Sequence, residues 1–169
     1  MPRVYLSLGS NIDRERHLRS AVAVLRGEFD DLRLSTVYEC PAEGFEGDPF
    51  LNLAAGFDTD LTPSQLAEYL KAIEMKHGRS PRDRGFRART LDLDLLLYDN
   101  MVCDEAGLVL PRPEILQYAF VLKPLAELAP NVEHPVLRKT FAELWWQAEF
   151  NGLRLQPYPL GWEESALID

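Results

Sequence analysis

The sequence is poor in cysteine, lysine and long apolar runs. Its two cysteines, Cys40 and Cys103, make neither a disulfide framework nor a paired-cysteine metal knuckle. Apolar runs are as short as Leu95-Leu96-Leu97-Tyr98 and Phe120-Val121-Leu122, so none spans a bilayer and no membrane partner is expected. The opening Met1-Pro2-Arg3-Val4-Tyr5 lacks the apolar stretch of a signal peptide, which points to the cytoplasm. No Gly/Ser linker, internal repeat or low-complexity tract divides the chain, so residues 1–169 are expected to form a single domain. Neither a GxxxxGK phosphate loop nor GxGxxG occurs, which excludes Walker-type and dinucleotide-type nucleotide binding.

What is present is a globular composition, with 46% hydrophobic and 10% aromatic residues. That excludes intrinsic disorder. The net charge is −9, from 18 basic and 27 acidic residues. It argues against a nucleic-acid partner, because phosphate neutralisation supplies most of that affinity. The cations are unevenly spent. Arg79, Arg82, Arg84, Arg87 and Arg89 crowd one short segment, with Asp83 the only acid among them.

Periodicity sets the elements. Val4, Leu6 and Leu8 alternate as a strand that stops at a Gly9-Ser10-Asn11 turn. Asp13 is placed to cap a helix whose apolar positions are Leu18, Ala21, Val22, Leu25 and Phe29. Residues 32–39 and 50–58 read as strands flanking a Pro41–Pro49 loop. Thr62-Pro63 starts a helix with Leu66, Leu70 and Ile73 buried, and Gly78 ends it. Residues 90–98 form a strand with Leu91, Leu93, Leu95 and Leu97 on one face. After three prolines within 111–124, Thr140 caps a last helix containing Trp145, Trp146 and Phe150. The order predicts an α+β fold: a ferredoxin-like, mainly antiparallel sheet with helices on it in αβα layers.

Asp92 and Asp94 are the sharpest chemical feature. Residues i and i+2 of a strand point the same way, so both carboxylates project opposite the leucines. Two carboxylates with room for water and phosphate oxygens suit Mg²⁺; a solvated acidic strand face is the plainer alternative. The arginine segment beside them suits a polyphosphate, since a guanidinium makes forked hydrogen bonds to phosphate and keeps its charge. Exposed ion pairs with an acidic body are its plainer alternative. Phe50 and Asn52 share a strand face and could stack on and hydrogen-bond a planar heterocycle. Glu74 stands one residue off the apolar stripe of its helix and reads as a solvated acid. His17, His77 and His134 lie in separate polar settings and none reads as a ligand.

Arg89-Thr90-Leu91-Asp92-Leu93-Asp94-Leu95-Leu96 closely resembles the signature of the 6-hydroxymethyl-7,8-dihydropterin pyrophosphokinase family of folate biosynthesis. Tyr5 to Asn11, Phe50-Leu51-Asn52, Ile73-Glu74 with Gly78-Arg79, and Phe120 to Pro130 resemble its other blocks in order. The resemblance implies transfer of a pyrophosphoryl group from MgATP to the pterin hydroxymethyl, with AMP released. It implies two Mg²⁺ on Asp92 and Asp94, with Arg79 and Arg89 as further catalytic residues. ATP would be bound by Glu74, Arg79, Arg82, Arg84, Arg89 and Arg112, and the pterin by Cys40, Phe50, Asn52 and Phe120. Among these Arg82 and Arg84 rest on charge rather than on matched position. The loop 79–89 would close over ATP.

The chain departs from the family pattern at several points. Cys40 stands for a Thr, Pro81 for a loop Arg, Phe86-Arg87-Ala88 for Trp-Gly-Pro, Arg112 for a His and Tyr118 for an Arg. The partners expected are the two small molecules, with the protein a monomer. Residues 151–169 form a C-terminal extension without a motif. A divergent paralogue acting feebly or on another hydroxymethyl heterocycle is the nearest alternative, and an RNA-binding module the remote one. The second lacks a run of paired surface aromatics.

Overall fold

The computed structural model describes residues 1–41, 47–78, 90–105, 107–150 and 155–161. In chain order its elements are β1 (Arg3–Ser10), α1 (Arg14–Glu28), β2 (Arg33–Leu34), β3 (Tyr38–Cys40), β4 (Phe50–Asp58), α2 (Pro63–Lys76) and β5 (Asp92–Tyr98). There follow β6 (Cys103–Glu105), β7 (Leu108–Leu110), α3 (Glu114–Gln117), α4 (Ala119–Leu128), α5 (Phe141–Gln147) and β8 (Gln156–Pro157). The main sheet runs β5-β1-β4-β3-β8, with β2 beside β4, and every pairing in it is antiparallel. This is the expected α+β architecture, an antiparallel sheet between helical layers.

The two faces of the sheet bury different helices. Val4, Leu6 and Leu8 of β1, Leu51 and Leu53 of β4, and Leu93 and Leu95 of β5 pack on Leu18 and Leu25 of α1 and Leu66, Leu70 and Ile73 of α2. On the opposite face Tyr5, Leu96 and Leu97 pack on Ile115 of α3, Leu122 and Leu125 of α4 and Phe141 of α5. Each such leucine contributes about 1.5–3 kcal/mol by leaving water. The second cluster covers one end of its face. The other end carries polar and small residues, and the chemistry lies there.

Several local expectations shift. The register slips between Tyr5 and Leu6, where Leu6 pairs with Leu95 but Tyr5 with Leu97. The extra residue, Leu96, flips the strand, so Leu97 joins the α3–α5 cluster instead of the leucine face and Tyr98 returns to the α1–α2 core. The strand expected at 32–39 is two short ones. Between them Ser35 Oγ replaces a main-chain acceptor for Ala54 N at 2.8 Å, and Thr36 N turns away to Glu127.

Thr62 forms a full capping box with Gln65. Asp13 makes no such cap: its backbone is left-handed (φ 47°) and its carboxylate pairs with Arg16 at 2.9 Å. The last helix stops at Gln147, and Phe150 stacks back on Trp145 from outside it. The β6–β7 hairpin, and an α4 that carries Pro124 within it, had no clear periodic signal.

The C-terminal extension is partly woven in. β8 pairs with β3, Leu160 is buried in the α1–α2 core, and Arg19 of α1 donates to the Leu160 carbonyl.

Candidate active site

Gly9 pairs with Asp92 on one side and with Asn52 on the other. Directly paired residues of antiparallel strands point to the same face, so Asp92, Gly9 and Asn52 form one row across the sheet. The next row is Asp94, Ser7 and Ala54. The two rows place small residues, Gly9 and then Ser7 with Ala54, between two half-buried carboxylates on the β5 side and a buried amide on the β4 side. Two strand spacings separate Asp92 from Asn52, about 10 Å between backbones.

Gly9 is required there. A Cβ at that position would lie 2.7 Å from Asn52 Oδ1, so the amide occupies the space a side chain would take. Sequence alone marked Gly9 as a turn residue; it is a strand residue, and the partner that demands glycine sits on another strand. Asn52 is 5% exposed and its Nδ2 donates to Cys40 Sγ at 3.0 Å. Cys40 pairs with Phe50 across β3 and β4, so Cys40, Phe50 and Asn52 share this face. Phe120 stands at the start of α4 with its ring 5.0 Å from that of Tyr118, the residue in place of an arginine.

Glu74 is not a solvated acid. It is 8% exposed, and its Oε2 accepts the Leu93 N–H at 2.7 Å. Among the described residues β5 is the edge of the sheet, so an N–H on its outer side meets no described strand, and the α2 carboxylate supplies the acceptor. Leu93 lies between the two aspartates, which fixes Glu74 against the same stretch of chain. Arg112 completes this side, with Nη2 3.1 Å from Asp94 Oδ1 and Nε 3.0 Å from Glu114 Oε2.

Ser10 and Asn11, read from sequence only as a turn, hold the site's margins. Ser10 Oγ donates to the Thr90 carbonyl at 2.6 Å, and Asn11 Nδ2 to the Asp48 carbonyl at 3.0 Å. Tyr38 shares the row of Gly9 and Asn52, pairing with Asn52. Its hydroxyl donates to Glu127, and burial together with that carboxylate pushes its pKa up to about 12.

The donor set fits Mg²⁺ in a particular way. Among the described residues no group of three His, Cys, Asp or Glu side chains could hold a metal ion. Asp92 and Asp94 offer two carboxylates, and Mg²⁺ is commonly held by one or two of these plus water and substrate phosphate. Arg79, Arg82, Arg84 and Arg89, four of the arginines expected to bind phosphate, lie outside the described residues.

The fold has a solved counterpart. A Plasmodium falciparum HPPK-DHPS chain has the same fold at a TM-score of 0.64 and 14% identity, over 86% of this chain and 44% of that longer one. Sequence sets the family. Residues 5–130 match the 7,8-dihydro-6-hydroxymethylpterin-pyrophosphokinase family model. Curated relatives named 2-amino-4-hydroxy-6-hydroxymethyldihydropteridine pyrophosphokinase include one from Aquifex aeolicus, 38% identical over 145 residues, which are 85% of this chain and 90% of that one. Another, from Pseudomonas aeruginosa, is 37% identical over 159 residues, covering 92% and 97%. The chain belongs to the hydroxymethyldihydropterin pyrophosphokinase family, diphosphokinases with ATP as co-substrate.

Proposed function

We infer that the chain transfers the β,γ-pyrophosphoryl group of ATP to the hydroxymethyl oxygen of 6-hydroxymethyl-7,8-dihydropterin, in folate biosynthesis. The observation that carries the residue assignment is the Asp92–Gly9–Asn52 row. It puts a metal-type carboxylate and a heterocycle-reading amide on either side of one glycine.

Asn52 reads the polar edge of the pterin, and Cys40, Phe50 and Phe120 line its ring. The hydroxymethyl then lies over Gly9, toward Asp92 and Asp94. Its oxygen attacks the β-phosphorus, the bond from that phosphorus to the α–β bridging oxygen breaks, and AMP leaves with the electron pair. The hydroxyl proton departs to solvent. Mg²⁺ on Asp92 and Asp94, two ions in our reading, would neutralise the polyphosphate and hold nucleophile and phosphate together. Glu74 fixes the strand between the aspartates, and Arg112 together with Arg79, Arg82, Arg84 and Arg89 binds phosphate, so catalysis is mostly positioning and charge.

We read the protein as monomeric and cytoplasmic, and its net charge of −9 supports the reading that it has no nucleic-acid partner. Among the described residues no helix is long and apolar enough to cross a membrane. Phosphorus NMR of the protein with MgATP and the dihydropterin tests the reaction. AMP and a pterin diphosphate in equal amounts are expected; ADP with a pterin monophosphate, or neither product, refutes it.

A further inference from the structure

The carboxylate that the reading above gives to Mg²⁺ already touches a cation of the chain's own. The backbone of Arg112 is fixed, because its N–H donates to the Leu96 carbonyl at 3.0 Å. Leu96 lies on the same edge strand two residues beyond Asp94, so the Arg112 side chain reaches along that edge to Asp94 Oδ1. Its head is held by two ion pairs, to Asp94 and to Glu114. Nε and Glu114 Oε2 are within ion-pair distance but without hydrogen-bond geometry. The Nε and Oε2 atoms are buried, but the Asp94, Arg112 and Glu114 side chains as wholes are 33%, 30% and 40% exposed, so the group also meets solvent.

A guanidinium does not give up its charge, so it leaves a carboxylate only by moving. Mg²⁺ binds oxygen at about 2.0–2.1 Å with near-octahedral demands, and a guanidinium on the same oxygen would repel it. The same guanidinium binds phosphate through forked, charge-assisted hydrogen bonds.

We propose that Arg112 is an exchangeable counter-ion of Asp94: it neutralises the carboxylate before metal binds, is displaced by the metal, and then turns to the polyphosphate. The proposal rests on the metal reading of Asp92 and Asp94. It makes nucleotide and metal arrive as a coupled pair, since the metal alone must evict Arg112 while the metal with phosphate gives it a new partner. Its signature is a pair of effects of opposite sign. Losing Arg112 tightens the binding of metal alone and weakens the binding of nucleotide, whereas loss of a merely supporting side chain would weaken both.

Titration of Mn²⁺ alone, followed by its EPR signal, separates these cases in wild type, Arg112→Ala, Arg112→Gln and Asp94→Asn, each first shown folded by thermal melt. The Arg112 variants are expected to bind Mn²⁺ tighter, by up to about fivefold for a partly exposed pair. They are also expected to bind a non-hydrolysable ATP analogue more weakly at saturating metal, and Asp94→Asn to bind Mn²⁺ more weakly. If Asp94→Asn weakens Mn²⁺ binding but neither Arg112 variant tightens it, the exchange is overturned and the metal reading stands. If Asp94→Asn binds Mn²⁺ as wild type does, the metal reading fails and takes this proposal with it.

Discussion

The Oδ1 atom of Asn52 stands against the point where a side chain of residue 9 would begin. A Cβ on Gly9 would meet it at 2.7 Å, closer than real Cβ atoms approach a neighbour. Gly9→Ala therefore pushes the amide out of its place, against Cys40. The variant is expected to lose about 1–3 kcal/mol of stability from the overpacking. It should also raise the KM for pterin more than the KM for ATP. Steady-state kinetics with each substrate varied in turn measure this, and an unchanged pterin KM would contradict the assignment of Asn52.

Asp92→Asn and Asp94→Asn are expected to lower kcat by about 10²-fold or more while the melting temperature stays near that of wild type. Both side chains are only half-buried on an edge strand, so the fold does not depend on their charge. Turnover near the wild-type rate in either variant would refute the metal role.

Glu74→Ala leaves the buried Leu93 N–H without its acceptor, at a cost of about 1–3 kcal/mol by urea denaturation. Glu74→Gln keeps an acceptor and should recover most of that stability. If both variants are as stable as wild type, Glu74 does not hold the edge of β5.

Arg14 of α1 ties together three segments beside the strands that carry Cys40 and Phe50. Its Nη2 pairs with Glu39 Oε2 at 2.6 Å, its Nη1 donates to the Pro49 carbonyl at 3.0 Å, and its guanidinium lies 5.0 Å from the Tyr158 ring. Arg14→Ala should raise the pterin KM up to about fivefold, with kcat and the ATP KM little changed. Tyr158→Ala should give a smaller shift of the same kind, because residues beyond 130 lie outside the family match and this strap only backs Arg14. A shift confined to the ATP KM would contradict both.

His17 and His134 are buried, and burial holds both below the ordinary histidine value of 6.5. The His134 Nδ1 accepts the N–H groups of Val136 and Leu137 at 3.2 and 3.1 Å, an arrangement that needs that nitrogen unprotonated. The unfolded chain then binds more protons than the folded one near and below 6.5, so stability is complete above that value and falls with pH. The melting temperature should drop from about pH 7 to about pH 5, and His134→Gln should flatten part of the drop. An unchanged slope in that variant would contradict it.

Much of this was legible in the sequence where the partners are local. Thr62, Pro63 and Gln65 sit within one turn, and the alternation that sets β1, β4 and β5 is a pattern of neighbours. Asp92 and Asp94 stood out because residues two apart on a strand share a face. Where the partner is distant, the sequence was silent. Glu74 read as solvated because the open N–H it serves exists only once β5 becomes a sheet edge. Alternation alone puts Leu97 on the leucine face, and a single extra residue, Leu96, reverses it. Gly9 owes its necessity to Asn52, and Arg14 its role to Glu39, Pro49 and Tyr158, none of them near in the chain.

The row Asp92–Gly9–Asn52 is tested most directly by the relaxation of a ¹³C-labelled pterin hydroxymethyl carbon, bound with Mn²⁺ and a non-hydrolysable ATP analogue. Strong broadening by the metal is expected in wild type, and its loss in Asp92→Asn with pterin still bound. No broadening in wild type, or equal broadening in both proteins, would contradict a site in which this row joins the carboxylates to Asn52.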